Sequence, residues 1–191
     1  MYKKYTLPLG IFVVFENVNT VVFSSESFYQ NSYTIFLNKS WLYAFNLFFK
    51  NDVFLSNSTL LEHSGIDNKN NFEFLKKNQI FFKSKILLFY LYEFFTNNSK
   101  LFLLTTYNNR SLYKINSIDS VYISSGWLER ETGEMFCVSY NNKIDSRRLL
   151  LDYSKKENPL LKDYPVEGYN DVFYNFFEDQ VTFYKSTVVE L

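Results

Sequence analysis

Two apolar runs, residues 86–96 and 100–107, are separated by only the short polar link Asn97-Asn98-Ser99. Both runs are rich in residues that favour β-structure, and a short polar link between two such runs is typical of a β-hairpin. Their apolar character is nearly continuous, which predicts a central pair of strands covered by helices on at least one face. This pair restricts the chain to folds that are built around a sheet.

Weaker patterns on the N-terminal side predict further elements around that pair. Residues 11–23 resemble two short strands joined at 16–19, and residues 33–37 are strand-like. Ser40 is placed as an N-cap before residues 41–50, where apolar side chains keep helical spacing. Because strands and helices do not alternate strictly, we predict an α+β fold, a mixed β-sheet packed with a few helices, and not a doubly wound sheet.

The polar stretch 51–78 predicts a short apolar segment at 59–61 followed by a loop. His63 falls in this loop, and a histidine without a second metal-ligating neighbour is more often a surface or capping residue than a ligand. The chain has one histidine and one cysteine, Cys137, so it offers no cluster for zinc or for iron–sulfur ligation. We therefore assign His63 no role and predict neither a metal site nor a catalytic residue.

Composition narrows the class of protein further. Hydrophobic residues make up 47% of the chain and aromatic residues 21%, too much for a disordered protein. Basic and acidic residues both number 20, so no global field attracts the chain to nucleic acid or to an anionic membrane. The longest apolar runs fall short of the ~20 residues of a membrane-spanning helix, and the first ten residues do not resemble a signal or transit peptide. The abundance of Phe, Tyr, Asn, Lys and Ile is typical of AT-rich mitochondrial genomes and predicts mitochondrial encoding.

Residues 126–136, GWLERETGEMF, concentrate charge and aromatic bulk on one predicted helix. Ser125-Gly126 is placed to cap this helix, with Glu129 as the acidic half of a capping box. Helical geometry places five side chains within one apolar arc, and Glu131 points out of this apolar face. The five are Trp127, Leu128, Glu131, Thr132 and Met135. A buried carboxylate needs a cation or backbone donors, and the nearest candidates in sequence are Arg147 and Arg148.

Three interpretations of this charged helix compete. The first is an ordinary solvated surface with loose arginines. The second is an acid/base pair of Glu129 and Glu131, but residues two apart on a helix face different ways. The third is an anchor for a protein partner, with Trp and Arg supplying contacts that interfaces favour. A single-stranded nucleic-acid-binding β protein is the alternative from another class, supported only by a modest local excess of basic residues between Lys143 and Lys162.

The chain changes character after Val138. Residues 139–171 are rich in charge, Asn, Tyr and turn-forming residues and show no sustained period. Residues 171–191 then resume β-like content. We predict a globular α+β domain over 1–138 and a long extended C-terminal docking tail over 139–191 that binds a partner.

The ordered series WLERETGEMF, SRRLLLDY and NPLLKDYPVEGY over residues 127–169 resembles the signature region of the thirty-kilodalton core subunit of respiratory complex I, which is related to the bacterial C-type subunit of NADH:ubiquinone oxidoreductase. HSGID at 63–67 is similar to the family's Gly-Val-Asp turn. The residues that carry the resemblance, and that we expect to bind partners, are Trp127, Glu129, Arg130, Glu131, Met135, Phe136, Arg147, Arg148, Asp152, Tyr153, Pro159, Leu160, Lys162, Asp163 and Pro165.

The resemblance implies a matrix-side subunit of the peripheral arm at the mitochondrial inner membrane. It implies docking on the forty-nine-kilodalton subunit and its neighbours in the quinone module, with flavin and iron–sulfur clusters held by other subunits and no cofactor or enzymatic activity in this chain. The sequence departs from the family pattern in four places: Cys137 replaces a glycine, Lys143-Ile144 replaces His-Pro, Ser154-Lys155-Lys156-Glu157 replaces a glycine-rich turn, and Leu161 replaces an arginine.

Overall fold

The computed structural model describes residues 32–53, 55, 57–69, 85–95, 99–108, 114–153 and 157–186. The hairpin expected at 11–23 lies outside these residues. Within them, the chain forms two α-helices, one short 3₁₀ turn and eight strands. No helix in these ranges is long and apolar enough to cross a bilayer.

A four-stranded mixed sheet organises the molecule. Its strands are β1 (Ser32–Phe36), β2 (Ser58–Asp67), β3 (Ile86–Phe94) and β4 (Ser99–Tyr107), in the spatial order β1-β4-β3-β2. The predicted hairpin is confirmed, since β3 and β4 pair antiparallel and occupy the two central positions. The strand predicted at 33–37 is confirmed as β1, which pairs parallel to β4.

Strand β2 corrects the prediction of a loop after residue 61. It runs antiparallel to β3 along its whole length, with a bulge between Leu60 and Glu62. His63 is buried in this strand and is not a surface residue. The polar side chains of an edge strand with a bulge hide the alternation that marks a strand in sequence.

Helix α1 (Leu42–Asn51) is the predicted core helix, and its apolar positions Leu42, Phe45 and Phe49 are buried. The expected Ser40 cap is wrong: a 3₁₀ turn (Lys39–Trp41) precedes α1, and the Asn38 side chain accepts the backbone N–H of Ser40 at 3.3 Å. A 3₁₀ turn is a common start for an α-helix, and it places the cap two residues earlier than expected.

Both helices cover the same face of the sheet. The Phe49 ring of α1 packs edge-on against Tyr92 and Phe94 of β3, with ring centroids 5.9 and 5.7 Å apart. Helix α2 (Ser125–Phe136) places Phe136 against Gly65 of β2, beside Leu88. Alternate residues of a strand share a face, so Leu88, Tyr92 and Phe94 all point toward the helices. This confirms the predicted helical cover on one face.

The C-terminal part begins with turns and little regular structure. Strand β6 (Tyr140–Asn141) pairs parallel with β5 (Ile115–Asn116), and both have two residues. Strands β7 (Asn170–Asn175) and β8 (Gln180–Lys185) then form an antiparallel hairpin, which confirms the β-like content expected at the end of the chain. The division at residue 138 and the extended docking tail stay predictions.

Candidate functional site: helix α2 and the segment that follows it

The buried face of α2 differs from the predicted one. Its buried residues are Ser125, Glu129, Thr132 and Phe136. Trp127 is 66% exposed and Glu131 is also exposed, so the prediction that Glu131 lies on the apolar face is wrong. The prediction places Trp127 on the buried face because its side chain is aromatic. The predicted buried face is therefore rotated about the helix axis relative to the observed one.

Glu129 is the buried carboxylate of this helix, with none of its surface exposed. It accepts hydrogen bonds from the Ser117 hydroxyl at 2.5 Å and the Ile118 backbone N–H at 2.9 Å. Its cation is Lys143, 3.0 Å away and itself almost fully buried, and not Arg147 or Arg148 as expected. Burial raises the pKa of Glu129, although these donors and Lys143 oppose the shift.

The predicted capping box is absent from α2, because the Glu129 carboxylate bonds to residues 117 and 118. The helix begins at Ser125, whose hydroxyl donates to the Tyr122 carbonyl at 2.7 Å. Glu129 therefore connects α2 to the preceding loop, and it does not act on its own helix terminus.

Two contacts fasten α2 to strand β2. The Thr132 hydroxyl lies 3.1 Å from the His63 carbonyl oxygen, to which it can donate. A Cβ atom added at Gly65 would meet the Phe136 ring at 3.0 Å and Leu88 at 3.3 Å, so a larger residue would force the ring to move. The glycine in the HSGID motif thus allows the close approach of helix and sheet.

His63 connects the sheet to the segment after α2. Its Nδ1 lies 2.9 Å from the Phe89 carbonyl oxygen, which can only accept, so Nδ1 carries the proton. Its Nε2 then accepts from the Tyr140 hydroxyl at 2.6 Å, and the ring stacks on Tyr90 with centroids 3.9 Å apart. Burial lowers the pKa of His63 to about 4, so the ring is neutral at physiological pH.

Arg130 organises the turn at residues 145–148. Its guanidinium donates to the carbonyl oxygens of Arg147 and Arg148 at 2.8 and 2.9 Å and lies 3.4 Å from the Asp145 carboxylate. It also lies over the Trp127 ring, 5.5 Å from the centroid. The charge pairing of the signature is therefore largely internal to it.

Glu134 is a structural residue that the sequence interpretation missed. Its carboxylate accepts the backbone N–H groups of Leu149, Leu150 and Leu151, the last two at 2.9 and 3.1 Å. Burial opposes ionisation of this group, but the three backbone donors together outweigh it and lower the pKa of Glu134. The sequence signal that could have identified Glu134 is a third acidic residue on α2, together with a later run of leucines that has neither helical nor strand spacing.

The rest of the signature returns to the sheet. The Lys162 N–H donates to the buried Asp67 carboxylate at 2.9 Å, and Asp163 pairs with Lys69 and, at 3.2 Å, with Lys85. The Leu160 N–H donates to the Met135 carbonyl at 3.3 Å, which ties this segment to the end of α2. The remaining expected residues are half-buried or exposed around these contacts and comprise Asp152, Tyr153, Pro159 and Pro165.

The predicted residues therefore do not form one exposed surface. Glu129 and Phe136 are buried, and the others lie between α2 and the segment that contacts Asp67 at the C-terminal end of β2. Across the described ranges, no group of three His, Cys, Asp or Glu side chains is arranged to hold a metal ion. The cluster of buried polar groups instead holds the segment after α2 against the sheet.

Comparison with known proteins identifies the family. Residues 37–170 match the family described as the respiratory-chain NADH dehydrogenase, 30 Kd subunit. The chain belongs to this family. It is therefore a subunit of a respiratory-chain NADH dehydrogenase, and its partners are other subunits of that complex.

Curated relatives agree with this family, and a solved structure shares the fold. The chain is 31% identical to NADH-ubiquinone oxidoreductase subunit 9 of Paramecium primaurelia, over 98% of this chain and 88% of that protein. It is 41% identical to NADH dehydrogenase [ubiquinone] iron-sulfur protein 3 of Arabidopsis thaliana, over 40% of this chain and 45% of that protein. A chain in the structure of an archaeal membrane-bound sulfane sulfur reductase shares the fold, with a TM-score of 0.59 at 14% identity over 81% of this chain and 83% of that one.

Two departures from the thirty-kilodalton family pattern acquire a structural meaning. Cys137 ends α2 in the left-handed region, with φ 58° and ψ 40°, a conformation for which glycine is preferred. Lys143, which stands where the pattern has histidine, is the cation that pairs with buried Glu129. It is the only basic residue between Phe136 and Asp145, and that isolation was the signal available in the sequence.

Proposed function

We propose that this chain is a non-redox structural subunit of the peripheral arm of NADH:ubiquinone oxidoreductase, where it docks the forty-nine-kilodalton subunit. In this role it supports assembly and electron transfer to ubiquinone without binding a cofactor. The family match and the names of the relatives support membership of the complex. We further propose a matrix-side position at the mitochondrial inner membrane and encoding in the mitochondrion.

The observation that carries the docking proposal is the β7–β8 hairpin. One of its faces is formed by Val172, Tyr174, Val181 and Phe183, and all four are exposed. At its tip Phe176 is 86% exposed and Phe177 is 100% exposed. Contiguous exposed apolar surface of this kind is typical of protein interfaces.

The low stability expected of an isolated hairpin also favours a partner. A two-stranded hairpin is marginal in water unless a further strand or helix packs on it. Among the described elements, none packs extensively against either β7 or β8. A partner that covers the apolar face would supply the missing burial, at about 25 cal/mol for each Å² removed from water.

Exposed residues of the signature region, 127–169, offer further surface to a partner. Arg147 is exposed at the turn that Arg130 holds, and Leu160 and Lys162 are exposed on the segment that leads to the hairpin. Arginine is enriched in protein interfaces, and exposed polar residues are common in their rims.

Assembly of the complex tests the proposal. Phe183→Asp places a charge on this apolar face, whereas Gln180→Asp places the same charge at an exposed polar position of the same strand, opposite Asn175. We expect the Phe183 variant to be lost from the band with NADH dehydrogenase activity in a native gel of mitochondrial membranes, and the Gln180 variant to be retained. Both variants should unfold cooperatively as isolated chains.

Two results would count against docking. One is a free monomer of the unmodified chain in matrix extract; the other is equal assembly of the two variants. Salt-dependent binding of the purified chain to a single-stranded oligonucleotide would favour the nucleic-acid alternative instead.

A further inference from the structure

The face of the four-stranded sheet that is turned away from the helices, here called the outer face, is also apolar. Leu88, Tyr92 and Phe94 of β3 point toward the helices, so the residues between them, and their neighbours on β2 and β4, point the other way. Six apolar side chains therefore share the outer face: Ile66, Leu87, Phe89, Leu91, Phe102 and Leu104. An antiparallel sheet with one face in water has polar side chains on that face, so this composition indicates that both faces are covered.

The elements of the described ranges do not bury this outer face. Ile66 is 44% exposed, and the other five side chains are half-buried. None of the six belongs to the hydrophobic core or to the side chains packed against it. Both described helices lie on the opposite face, where Phe49 and Phe136 contact the sheet.

Residues 1–31 precede β1 and lie outside the described ranges. Within them, nine of the thirteen residues at 11–23 are apolar, and Glu16 is the one charged residue of this stretch. Residues 24–31 connect the stretch to β1, and a link of eight residues can span roughly 26 Å. Strands β1 and β3 are two strand spacings apart, or about 10 Å. The stretch can therefore reach the centre of the outer face.

We propose that residues 11–23 pack on the outer face of the sheet and form a second apolar layer there. The stretch supplies apolar side chains where the outward residues of β3 and β4 need cover from water. Residues 70–84 also lie outside the described ranges, but three lysines and Glu73 interrupt their apolar residues, so they fit an apolar face less well. This layer does not depend on docking of the β7–β8 hairpin, and either proposal can fail without the other.

Photo-cross-linking of the purified full-length chain tests this layer. Phe89→p-benzoylphenylalanine places a probe on β3, and Phe102→p-benzoylphenylalanine in a second protein places it on β4, both at half-buried positions of the outer face. After irradiation, the monomer is isolated on a denaturing gel and its joined peptides are identified by mass spectrometry. We expect both probes to join a peptide that contains residues from 11–23. The same probe at Phe177, which is 100% exposed at the hairpin tip, is the control and should not form this product.

Two variants of the stretch itself test whether its apolar character causes the contact. Val14→Asp places a charge among apolar residues and should abolish the cross-link from Phe89. Asn17→Asp places the same charge at a polar position of the same stretch and should keep the product. Urea denaturation of both variants shows whether the fold is retained, and the two probes in the otherwise unmodified chain decide the question if the Val14 variant does not fold.

The proposal would be overturned by cross-links from Phe89 and Phe102 that join a second copy of the chain or residues 70–84, or by the absence of any product with residues 11–23. Equal product from the Phe177 probe would also overturn it, as would equal product from a folded Val14 variant and the Asn17 variant.

Discussion

Cys137 has a backbone conformation that is unfavourable for a residue with a side chain. It ends α2 with φ 58°, where a residue that carries a Cβ costs roughly 1–2 kcal/mol relative to glycine. We predict that Cys137→Gly raises the free energy of unfolding by about 1 kcal/mol, measured by urea denaturation. Cys137→Ala keeps the Cβ and should bring no such gain. Equal stability of the glycine and alanine variants would contradict this explanation.

His63 should make stability depend on pH in a window that can be assigned to it. It is the only histidine, and burial lowers its folded pKa to about 4 from an ordinary value of 6.5. Between these values the unfolded chain binds more protons than the folded one, so stability falls as pH falls from 6.5 toward 4. The loss attributable to this group reaches about 3 kcal/mol.

The comparison variant for this pH dependence is His63→Gln, which cannot titrate. Urea denaturation of both proteins at several pH values gives two stability curves, and their difference isolates the histidine. We expect the difference to shrink as pH falls through this window, because only the unmodified chain loses stability there through His63. Parallel curves would show that the folded pKa of His63 is close to its ordinary value.

Residue-level chemistry could be predicted from the sequence only in outline. The sequence predicts that a buried glutamate of α2 needs a cation, but both residues are assigned wrongly. The prediction takes Glu131 as the buried glutamate and Arg147 and Arg148 as its cations. The actual pair, Glu129 and Lys143, depends on how α2 is rotated against the loop at 117–118. Rotation is set by tertiary packing of Thr132 and Phe136, which no local pattern contains.

At the scale of elements, Asp67 holds the end of β2 and the C-terminal segment together. Its buried carboxylate accepts the backbone N–H groups of Lys69 at 3.0 Å and Lys162 at 2.9 Å. Nearby Asp163 forms exposed ion pairs with Lys69 and Lys85. Both aspartates tie the same segment to the sheet, but only one of them is buried.

We predict that Asp67→Ala lowers the free energy of unfolding by about 1–3 kcal/mol, because it leaves backbone donors unsatisfied. Asp163→Ala should cost less than about 1 kcal/mol, because water replaces an exposed ion pair. Chemical denaturation of the two variants measures the difference. A larger loss in the Asp163 variant would mean that the ion pairs, and not the backbone donors, hold the segment.

The elements that could be predicted are those whose sequence signals lie within one short stretch of the chain. The β3–β4 hairpin follows from two apolar runs and a short link, all within one stretch of sequence. Strand β2 was missed because its burial alternates irregularly around the bulge and its central residue is a buried histidine. A histidine in such a place satisfies its ring nitrogens through distant residues, Phe89 and Tyr140, which sequence spacing does not reveal.

In the molecule as a whole, the packed sheet and helices differ from the β7–β8 hairpin in how much apolar surface they expose. Both helices pack on the sheet through buried apolar side chains, and the segment after α2 is held to it by polar contacts, while the β7–β8 hairpin leaves its apolar residues exposed. The family was predictable from residues 127–169 because their order and spacing are specific. The exposure of the hairpin was not, because an apolar strand has the same pattern whether its cover comes from its own chain or from a partner.

The parallel pairing of β1 with β4 also imposes an order on folding. Phe36 pairs with Leu104, and the chain between them contains α1, β2 and β3. Among the described strands, β1 is synthesised first and its partner β4 is synthesised after β2 and β3. The described sheet is therefore complete only when the β3–β4 hairpin can form. Contacts this distant in sequence slow folding and leave a strand edge open in the meantime. Until β4 is complete, the nascent chain therefore carries a strand whose partner is missing, and such an open edge can pair with another chain.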